Sequence, residues 1–285
     1  MSELPLLLGA VAYDPKVVTI WDGFQRYFEQ RGLAFDYILY TSYERQVEAL
    51  FAGHIHMAWN SPLAWLQAER LAKKLGRRAA AVSMRDTDRD LSSVIVVREG
   101  GPVRSVPDLK GRCVAVGAGG SPQATLIPLY YLVQQGLEPN RDFKVVRFDV
   151  LLGKHGDHIG GERDAARALA RRDCDAACLI DGNLLLFAQE GTLPAGATRT
   201  IAKTPLYDHC NFTVLDTGMA ASVGRFRELL LGMSYRDPEV RRLFDLEGLK
   251  RWLPGRTEGY DPLSAAVEHF GYLDEFVTAV AARCT

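Results

Sequence analysis

The chain has 285 residues, of which 47% are hydrophobic and 24% are charged, as in an ordinary folded protein. Its 34 basic and 35 acidic residues nearly cancel, which excludes a basic field for nucleic acid and a polybasic membrane patch. At roughly 150 residues per domain the length predicts about two domains. No window reaches 18 uninterrupted apolar residues, so we expect no membrane span, and no motif calls for a cofactor.

The amino terminus and the cysteines predict where the protein works. Glu3 stands where a secretory leader needs positive charge, and the apolar run that follows is too short for one. The five cysteines are odd in number and include no CxxC pair, which favours buried thiols over a disulfide framework. We therefore expect a cytoplasmic protein, or a periplasmic one if a leader has been removed.

Apolar runs alternate with amphipathic stretches over the first hundred residues. Short apolar runs predict strands at 6–12, 35–40, 56–60, 79–83 and 93–98. A helix follows each of the first three strands; the second starts at a capping box of Thr41 and Glu44, and the third at Ser61-Pro62. The glycines and proline of 99–102 interrupt this pattern and predict a domain boundary.

The alternation restarts beyond that boundary. It predicts strands at 112–116, 143–148 and 175–180, with helices at 122–135 and 162–172. A second boundary falls near Thr204-Pro205, followed by a strand at 211–215 and four helices. This order is typical of doubly wound α/β lobes. We predict one lobe from 1–98 and 206–285, and an inserted lobe from 99–205.

The glycine-rich segment 117–121 is the strongest candidate for chemistry. A strand runs into it, and Ser121-Pro122 then starts a helix, so unpaired N–H groups and the helix dipole favour an anion. The segment fits no Walker, dinucleotide or nucleophile-elbow motif. The alternative is a capped helix without a ligand. Asn60-Ser61 repeats the arrangement in the first lobe, and Tyr13 follows the first strand there.

Three further segments carry polar side chains for which the sequence allows more than one role. Residues 154–162 include His155, Asp157, His158 and Glu162, which could contact an anion, ligate a metal, or form a solvated loop. His209 and Asn211 at the second boundary pose the same choice. Asp181 and Asn183 follow a strand and either meet a cationic or hydroxyl group of a ligand or cap a helix.

Segments 42–53 and 57–64 resemble the phosphonate-binding family of ABC-transporter solute receptors. So do 93–98, 108–111 and the glycine-rich segment, in the same order and spacing over roughly residues 5–215. The resemblance implies a type 2 periplasmic-binding fold, in which two α/β lobes joined by two crossing strands close on a small oxyanion. The crossing strands match 93–98 and 211–215.

The resemblance also implies roles for particular residues. Ser121 matches the helix start that holds the phosphonate, with help from Tyr43 and from His155 or His158, and Asp181 matches the acid that meets a ligand amine. Pro122-Gln123 departs from the family's Ser-Thr-Ser, Leu91 or Ser92 replaces a tyrosine, and the histidine loop is longer. A carboxylate, or an amide-bearing metabolite met by Gln123 and Asn60, therefore fits as well as a phosphonate.

We predict a solute-binding protein that closes on a small anionic metabolite, with an ABC permease as a possible partner. The predicted ligand-binding residues are Tyr13, Tyr43, Asn60, Ser61, Ser93, Ser121, Gln123, His155, His158, Asp181, Asn183, His209 and Asn211. One alternative is a cytosolic enzyme acting on a small carboxylate or cofactor precursor, with His155, Asp157, His158 and Asp181 for acid–base chemistry. Another is a metal-binding protein that uses the 155–162 loop.

Overall fold

The computed structural model describes residues 4–149, 159–216 and 219–284. The strands are β1 (Leu6–Val11), β2 (Phe35–Tyr40), β3 (Met57–Asn60), β4 (Ala79–Arg85), β5 (Ser93–Arg98), β6 (Cys113–Val116), β7 (Lys144–Arg147), β8 (Ala176–Ile180), β9 (Thr198–Lys203), β10 (Asn211–Leu215) and β11 (Trp252–Pro254). The α-helices are α1 (Lys16–Glu29), α2 (Tyr43–Phe51), α3 (Pro62–Lys74), α4 (Ile127–Gln134), α5 (Ile159–Ala170), α6 (Asp181–Gln189), α7 (Ala220–Leu231), α8 (Pro238–Glu247), α9 (Asp261–Phe270) and α10 (Asp274–Cys284).

The predicted strands are all present, with ends that differ by a few residues. Strands β9 and β11 were not predicted from the sequence, because β9 (Thr-Arg-Thr-Ile-Ala-Lys) has few apolar residues and β11 has only three residues. The predicted cap of α2 is wrong by one residue, since the hydroxyl of Ser42, not that of Thr41, accepts a hydrogen bond from the Arg45 N–H at 3.4 Å.

The described chain divides into two compact units. Unit 1 comprises Met1–Arg89, Asp208–Tyr260 and Tyr272–Thr285, and unit 2 comprises Asp90–Tyr207 and Asp261–Gly271. The lobe boundaries expected from the sequence stay a prediction; they assign the whole carboxyl-terminal tail to the first lobe, whereas α9 groups with unit 2. Helix α9 packs there against α4.

Unit 1 is built on a six-stranded sheet in the order β11-β4-β10-β3-β1-β2. Strand β1 pairs in parallel with β2 and β3, and β10 runs antiparallel between β3 and β4. The aromatic face of α1 packs on the sheet, where the ring centroids of Phe28 and Phe35 lie 4.9 Å apart and those of Trp21 and Phe212 lie 6.1 Å apart. The antiparallel pairing of β10 with β3 sets Asn211 opposite Asn60, so the end of β3 and the start of β10 lie at one edge.

Unit 2 is built on a five-stranded sheet in the order β7-β6-β8-β5-β9. Successive residues of β5 face opposite sides, so Ile95 and Val97 pack in one apolar cluster while Val94 and Val96 pack in another. Both faces of the sheet are therefore covered. Because β6 and β8 are parallel, the loops after Val116 and Ile180 leave the same edge.

The cysteines differ in part from the expectation of buried thiols. The structure joins Cys113, at the start of β6, to Cys174 in a disulfide, with their Cα atoms 4.8 Å apart. The prediction was wrong for this pair because the two residues are 61 positions apart and meet only through the pairing of β6 with β8. Cys178 and Cys210 are buried and outside the disulfide, as predicted, whereas Cys284 is exposed, which differs from the prediction.

Candidate functional site

The glycine-rich loop of residues 117–121 leads from β6 into a helix, as predicted. The Ser121 hydroxyl accepts a hydrogen bond from the Ala124 N–H at 3.1 Å, and the Ser121 carbonyl accepts one from the Leu126 N–H at 2.9 Å. The second bond spans five residues, so the helix opens with a π-type turn (Pro122–Leu126) before α4 begins. A side chain at Gly117 would place its Cβ 2.7 Å from that of Ala124, so only glycine fits there.

Ser93 supports the same helix start from β5. Its hydroxyl donates to the Gln123 carbonyl at 2.5 Å and lies 2.9 Å from the Tyr207 hydroxyl. Its N–H donates to the Thr204 hydroxyl at 2.9 Å. Ser93 is fully buried. The structure thus places predicted residues Ser93, Ser121 and Gln123 together, with Ser93 holding the backbone of Gln123.

Tyr207 was not predicted from the sequence. It is buried, and burial raises the pKa of its hydroxyl, so Tyr207 keeps its proton near neutral pH. The sequence offered only a weak signal for it, a tyrosine two residues beyond the Pro205 boundary. Its contact with Ser93 spans 114 residues and depends on the path of the chain in three dimensions.

Glu162 is a buried carboxylate at the same edge of unit 2. It accepts hydrogen bonds from the Ile180 N–H and from the Asn183 amide, both at 2.5 Å. The side chain of Asn183, predicted to bind ligand, is thus engaged by Glu162. A Cβ at Gly161 would lie 2.8 Å from the Phe148 carbonyl and 3.3 Å from the Ala118 nitrogen, so α5 starts directly against the glycine-rich loop.

Asp181 begins α6 and already has a cationic partner. The Lys203 ammonium lies 2.6 Å from its carboxylate, and the Ser92 hydroxyl donates to the same oxygen at 3.4 Å. Asp181 is partly exposed. A ligand amine would therefore have to compete with Lys203, a residue that the sequence did not single out.

Asn60 and Ser61 lie where β3 ends in unit 1, and both are fully buried. The Ser61 hydroxyl accepts from the Ala64 N–H at 3.3 Å, which confirms the predicted helix cap. The side-chain oxygen Oδ1 of Asn60 accepts a hydrogen bond from the Gln46 side-chain amide at 2.7 Å, and the Asn60 side-chain amide donates to the Thr213 hydroxyl at 2.9 Å. Asn60 is thus part of a buried network.

The network continues from Thr213 through Asn211 to Tyr260. The Thr213 hydroxyl donates to the side-chain oxygen Oδ1 of Asn211 at 2.7 Å, and the Asn211 side-chain amide donates to the Tyr260 hydroxyl at 2.8 Å. Tyr260 donates in turn to the His209 carbonyl at 2.7 Å, and burial raises the pKa of its hydroxyl. Every donor in this series points the same way, an arrangement in which hydrogen bonds reinforce one another.

His209 lies among buried polar groups in unit 1. Its Nδ1 is 3.4 Å from an Asp88 oxygen and 3.1 Å from the Cys210 sulfur. Burial alone would raise the pKa of Asp88, but the charge and hydrogen bonds of Arg85 outweigh it and lower the pKa to about 2. The possible ligand atoms of Asp88, His209 and Cys210 all lie within 4.8 Å of one another. However, Arg85 bonds both Asp88 oxygens at 2.6 and 2.8 Å, which makes this a poor metal site.

Of the remaining predicted ligand-binding residues, two tyrosines lie in the described part of the chain and two histidines lie outside it. Tyr43 is the first residue of α2 and is buried in the apolar core. Tyr13 packs against the core beyond β1, with the Lys16 ammonium 6.0 Å from its ring centre. Neither position tests the predicted ligand contact. His155 and His158 lie outside the described residues, so the anion, metal and acid–base roles suggested for that loop stay predictions.

Comparison with known proteins identifies the chain's relatives. Residues 10–260 match the family described as the phosphonate periplasmic substrate-binding protein of ABC transporters. The PhnD1 protein of Prochlorococcus marinus, in complex with methylphosphonate, is 17% identical with a TM-score of 0.67, covering 93% of this chain and 98% of that one. A Xanthomonas citri protein, XAC2383, bound to ATP, is 18% identical with a TM-score of 0.69, covering 93% and 97%.

A third similar structure is the periplasmic aliphatic sulphonate binding protein SsuA of Escherichia coli. It is 17% identical, with a TM-score of 0.55 over 96% of this chain and 93% of that one. At these identities the structures show the fold, and they confirm the predicted type 2 periplasmic-binding architecture.

No helix among residues 4–149, 159–216 and 219–284 has both the length and the apolar character needed to cross a bilayer. The family match covers most of the sequence, and the chain belongs to the phosphonate periplasmic substrate-binding protein family of ABC transporters.

Proposed function

We propose that this chain is the substrate-binding component of an ABC transporter and that it binds a small oxyanion at the loop of residues 117–121. The family match over residues 10–260 carries the proposal. A permease in the membrane would be the partner that receives the ligand. The predicted enzyme alternative has less support, because the matching family is one of binding proteins.

The geometry of unit 2 supports the loop as the anion contact. Ser121 caps a helical segment that runs through Gln134, so the positive end of the helix dipole faces the loop. Two features hold this start in place: Ser93 bonds the Gln123 carbonyl, and α5 packs on the loop through Gly161. A prearranged set of N–H groups binds an anion without the cost of ordering it first.

The class of ligand is inferred from the pairing of Asp181 and from proteins of similar fold. The partly exposed carboxylate of Asp181 is paired with Lys203, so the site does not depend on a ligand amine. We infer a small phosphonate or sulfonate as the primary class, since structures of similar fold hold methylphosphonate or bear the name of a sulphonate-binding protein. A carboxylate ligand is the runner-up.

A thermal-shift screen tests the proposed function. The protein is heated alone and with methylphosphonate, methanesulfonate, inorganic phosphate, sulfate or acetate. A ligand at a hundredfold excess over its dissociation constant stabilises a protein by about 2.7 kcal/mol, so at least one oxyanion should raise the melting temperature. Unchanged melting temperatures with every oxyanion would contradict the proposal.

We also infer that the protein works in an oxidising compartment outside the cytoplasm. The family is described as periplasmic, and the Cys113–Cys174 disulfide belongs to such compartments rather than to the reducing cytosol. The cytoplasmic location expected from the sequence rested on the amino terminus and on the cysteine pattern, and the disulfide removes the second of these grounds. Protein recovered from the periplasmic fraction of expressing cells should be folded and should carry the Cys113–Cys174 disulfide; reduced Cys113 and Cys174 in that fraction would contradict the inference.

A further inference from the structure

One N–H group of the glycine-rich loop is bound by a carboxylate of the chain itself. An oxygen of Asp149 lies 2.7 Å from the Gly119 nitrogen and accepts its hydrogen bond. Asp149 is exposed, and its other carboxylate oxygen has no hydrogen-bond partner within residues 4–149, 159–216 and 219–284. A negatively charged group thus lies on a loop whose other features favour an anion.

The sheet of unit 2 determines where Asp149 lies. Strands β6 and β7 are parallel with Val116 opposite Arg147, so the segments that follow them leave the sheet side by side. The Phe148 N–H extends this pairing by donating to the Val116 carbonyl at 3.1 Å. The next residue is Asp149, which therefore reaches Gly119 because of the strand register.

A carboxylate beside a bound oxyanion has opposite effects on two kinds of ligand. At a pH below its second pKa, a phosphonate or phosphate still carries one proton. Its P–OH group can donate a hydrogen bond to the second carboxylate oxygen of Asp149. A sulfonate or sulfate carries no proton near neutral pH, so two negatively charged oxygens would face each other. Such a like-charge contact rejects the wrong ligand.

We propose that Asp149 is a specificity-determining residue: its carboxylate accepts a hydrogen bond from the P–OH group of a protonated oxyanion and rejects oxyanions that carry no proton. The loop then selects singly protonated phosphonates and protonated phosphate over sulfonates and sulfate. This inference rests on the proposed function, since it assigns a selection rule to the same loop. A hydrogen bond to a charged group contributes enough to give a preference of roughly 10- to 150-fold.

Calorimetric titration of two isosteric ligands tests the rule. Methylphosphonate and methanesulfonate are titrated at about pH 6, where the phosphonate carries one proton. The proteins are the wild type, Asp149→Asn and the control Asp173→Asn. Asparagine keeps an acceptor for the Gly119 N–H but has no charge, whereas Asp173 pairs with Arg171 on the surface of the same unit. Inorganic phosphate and sulfate serve as a second pair.

The wild type and Asp173→Asn should prefer methylphosphonate by at least tenfold. Asp149→Asn should reduce that preference by at least tenfold, chiefly by binding methanesulfonate more tightly. Equal affinities of the wild type for the two ligands, or an unchanged preference in Asp149→Asn, would overturn the inference while leaving the proposed function in place. No binding of any of the four anions to the wild type or to either variant would instead contradict the proposed function, and the inference with it.

Discussion

The amide of Asn60 donates a hydrogen bond to the hydroxyl of Thr213, 153 residues away, at 2.9 Å. The Thr213 hydroxyl donates in turn to the side chain of Asn211, so this one hydroxyl connects two asparagine side chains, one at the end of β3 and the other at the start of β10. Both asparagines were predicted to bind ligand from their sequence positions. The structure shows that each already has protein partners, which orient it in the buried edge of unit 1.

Thr213→Val removes that hydroxyl and keeps the shape of the side chain. We expect the free energy of unfolding to fall by about 1–3 kcal/mol, because Asn60 and Asn211 each lose a buried partner. Chemical denaturation measures the change. Thr278→Val is the matched control, since the Thr278 hydroxyl accepts an exposed hydrogen bond from the Lys74 ammonium at 3.1 Å. Equal denaturation midpoints for the wild type and both variants would contradict the role of the network.

The Asp88 carboxylate predicts how stability depends on pH. Its pKa is lowered from 3.8 to about 2 in the folded protein, chiefly because Arg85 outweighs the cost of burial. A carboxyl with a lower pKa in the folded state contributes stability above its unfolded value and loses it as the pH falls. We therefore expect unfolding to become easier by about 2 kcal/mol between about pH 4 and pH 2 from this group.

Denaturation curves across that range check the expectation. Asp88→Asn should be less stable at neutral pH and should lack this part of the acid-dependent loss. Asp173→Asn, which changes an exposed carboxylate, should follow the wild type. A pH profile for Asp88→Asn parallel to that of the wild type would show that the Arg85–Asp88 pair does not govern the acid response.

The disulfide between Cys113 and Cys174 predicts both a thiol count and a stability. Unfolded, unreduced protein from an oxidising compartment should show three alkylated cysteines by mass, those of Cys178, Cys210 and Cys284. Removing the bond by Cys113→Ala with Cys174→Ala should cost about 2–5 kcal/mol, because it constrains the unfolded chain. Five alkylated cysteines in that sample would contradict the pairing.

Local patterns in the sequence were enough for much of the fold. Apolar runs that alternate with amphipathic stretches predicted nine strands. Ser61 and Ser121, each followed by a proline, predicted two helix starts. These features depend on residues that are neighbours in the chain. They also identified the glycine-rich loop, since a strand, small residues and a capped helix follow one another directly.

The side-chain partners within the site could not be predicted in the same way. Lys203 meets Asp181 across 22 residues, and Glu162 meets Asn183 across 21, because strands and helices bring them to one edge. Asp149 reaches Gly119 only through the pairing of β6 with β7. Each contact requires the register of a sheet, which hydrophobic periodicity does not give.

The most direct test of oxyanion binding at the loop is a calorimetric titration of methylphosphonate into the wild type, Ser121→Ala and Ser42→Ala. Both variants lose a helix cap, that of Ser121 within the proposed site and that of Ser42 at the start of α2 in unit 1, so both should lose about 1 kcal/mol of stability. We predict one saturable site in the wild type, unchanged affinity in Ser42→Ala and at least tenfold weaker binding in Ser121→Ala. Equal affinities in all three proteins, or no binding to the wild type, would contradict the account.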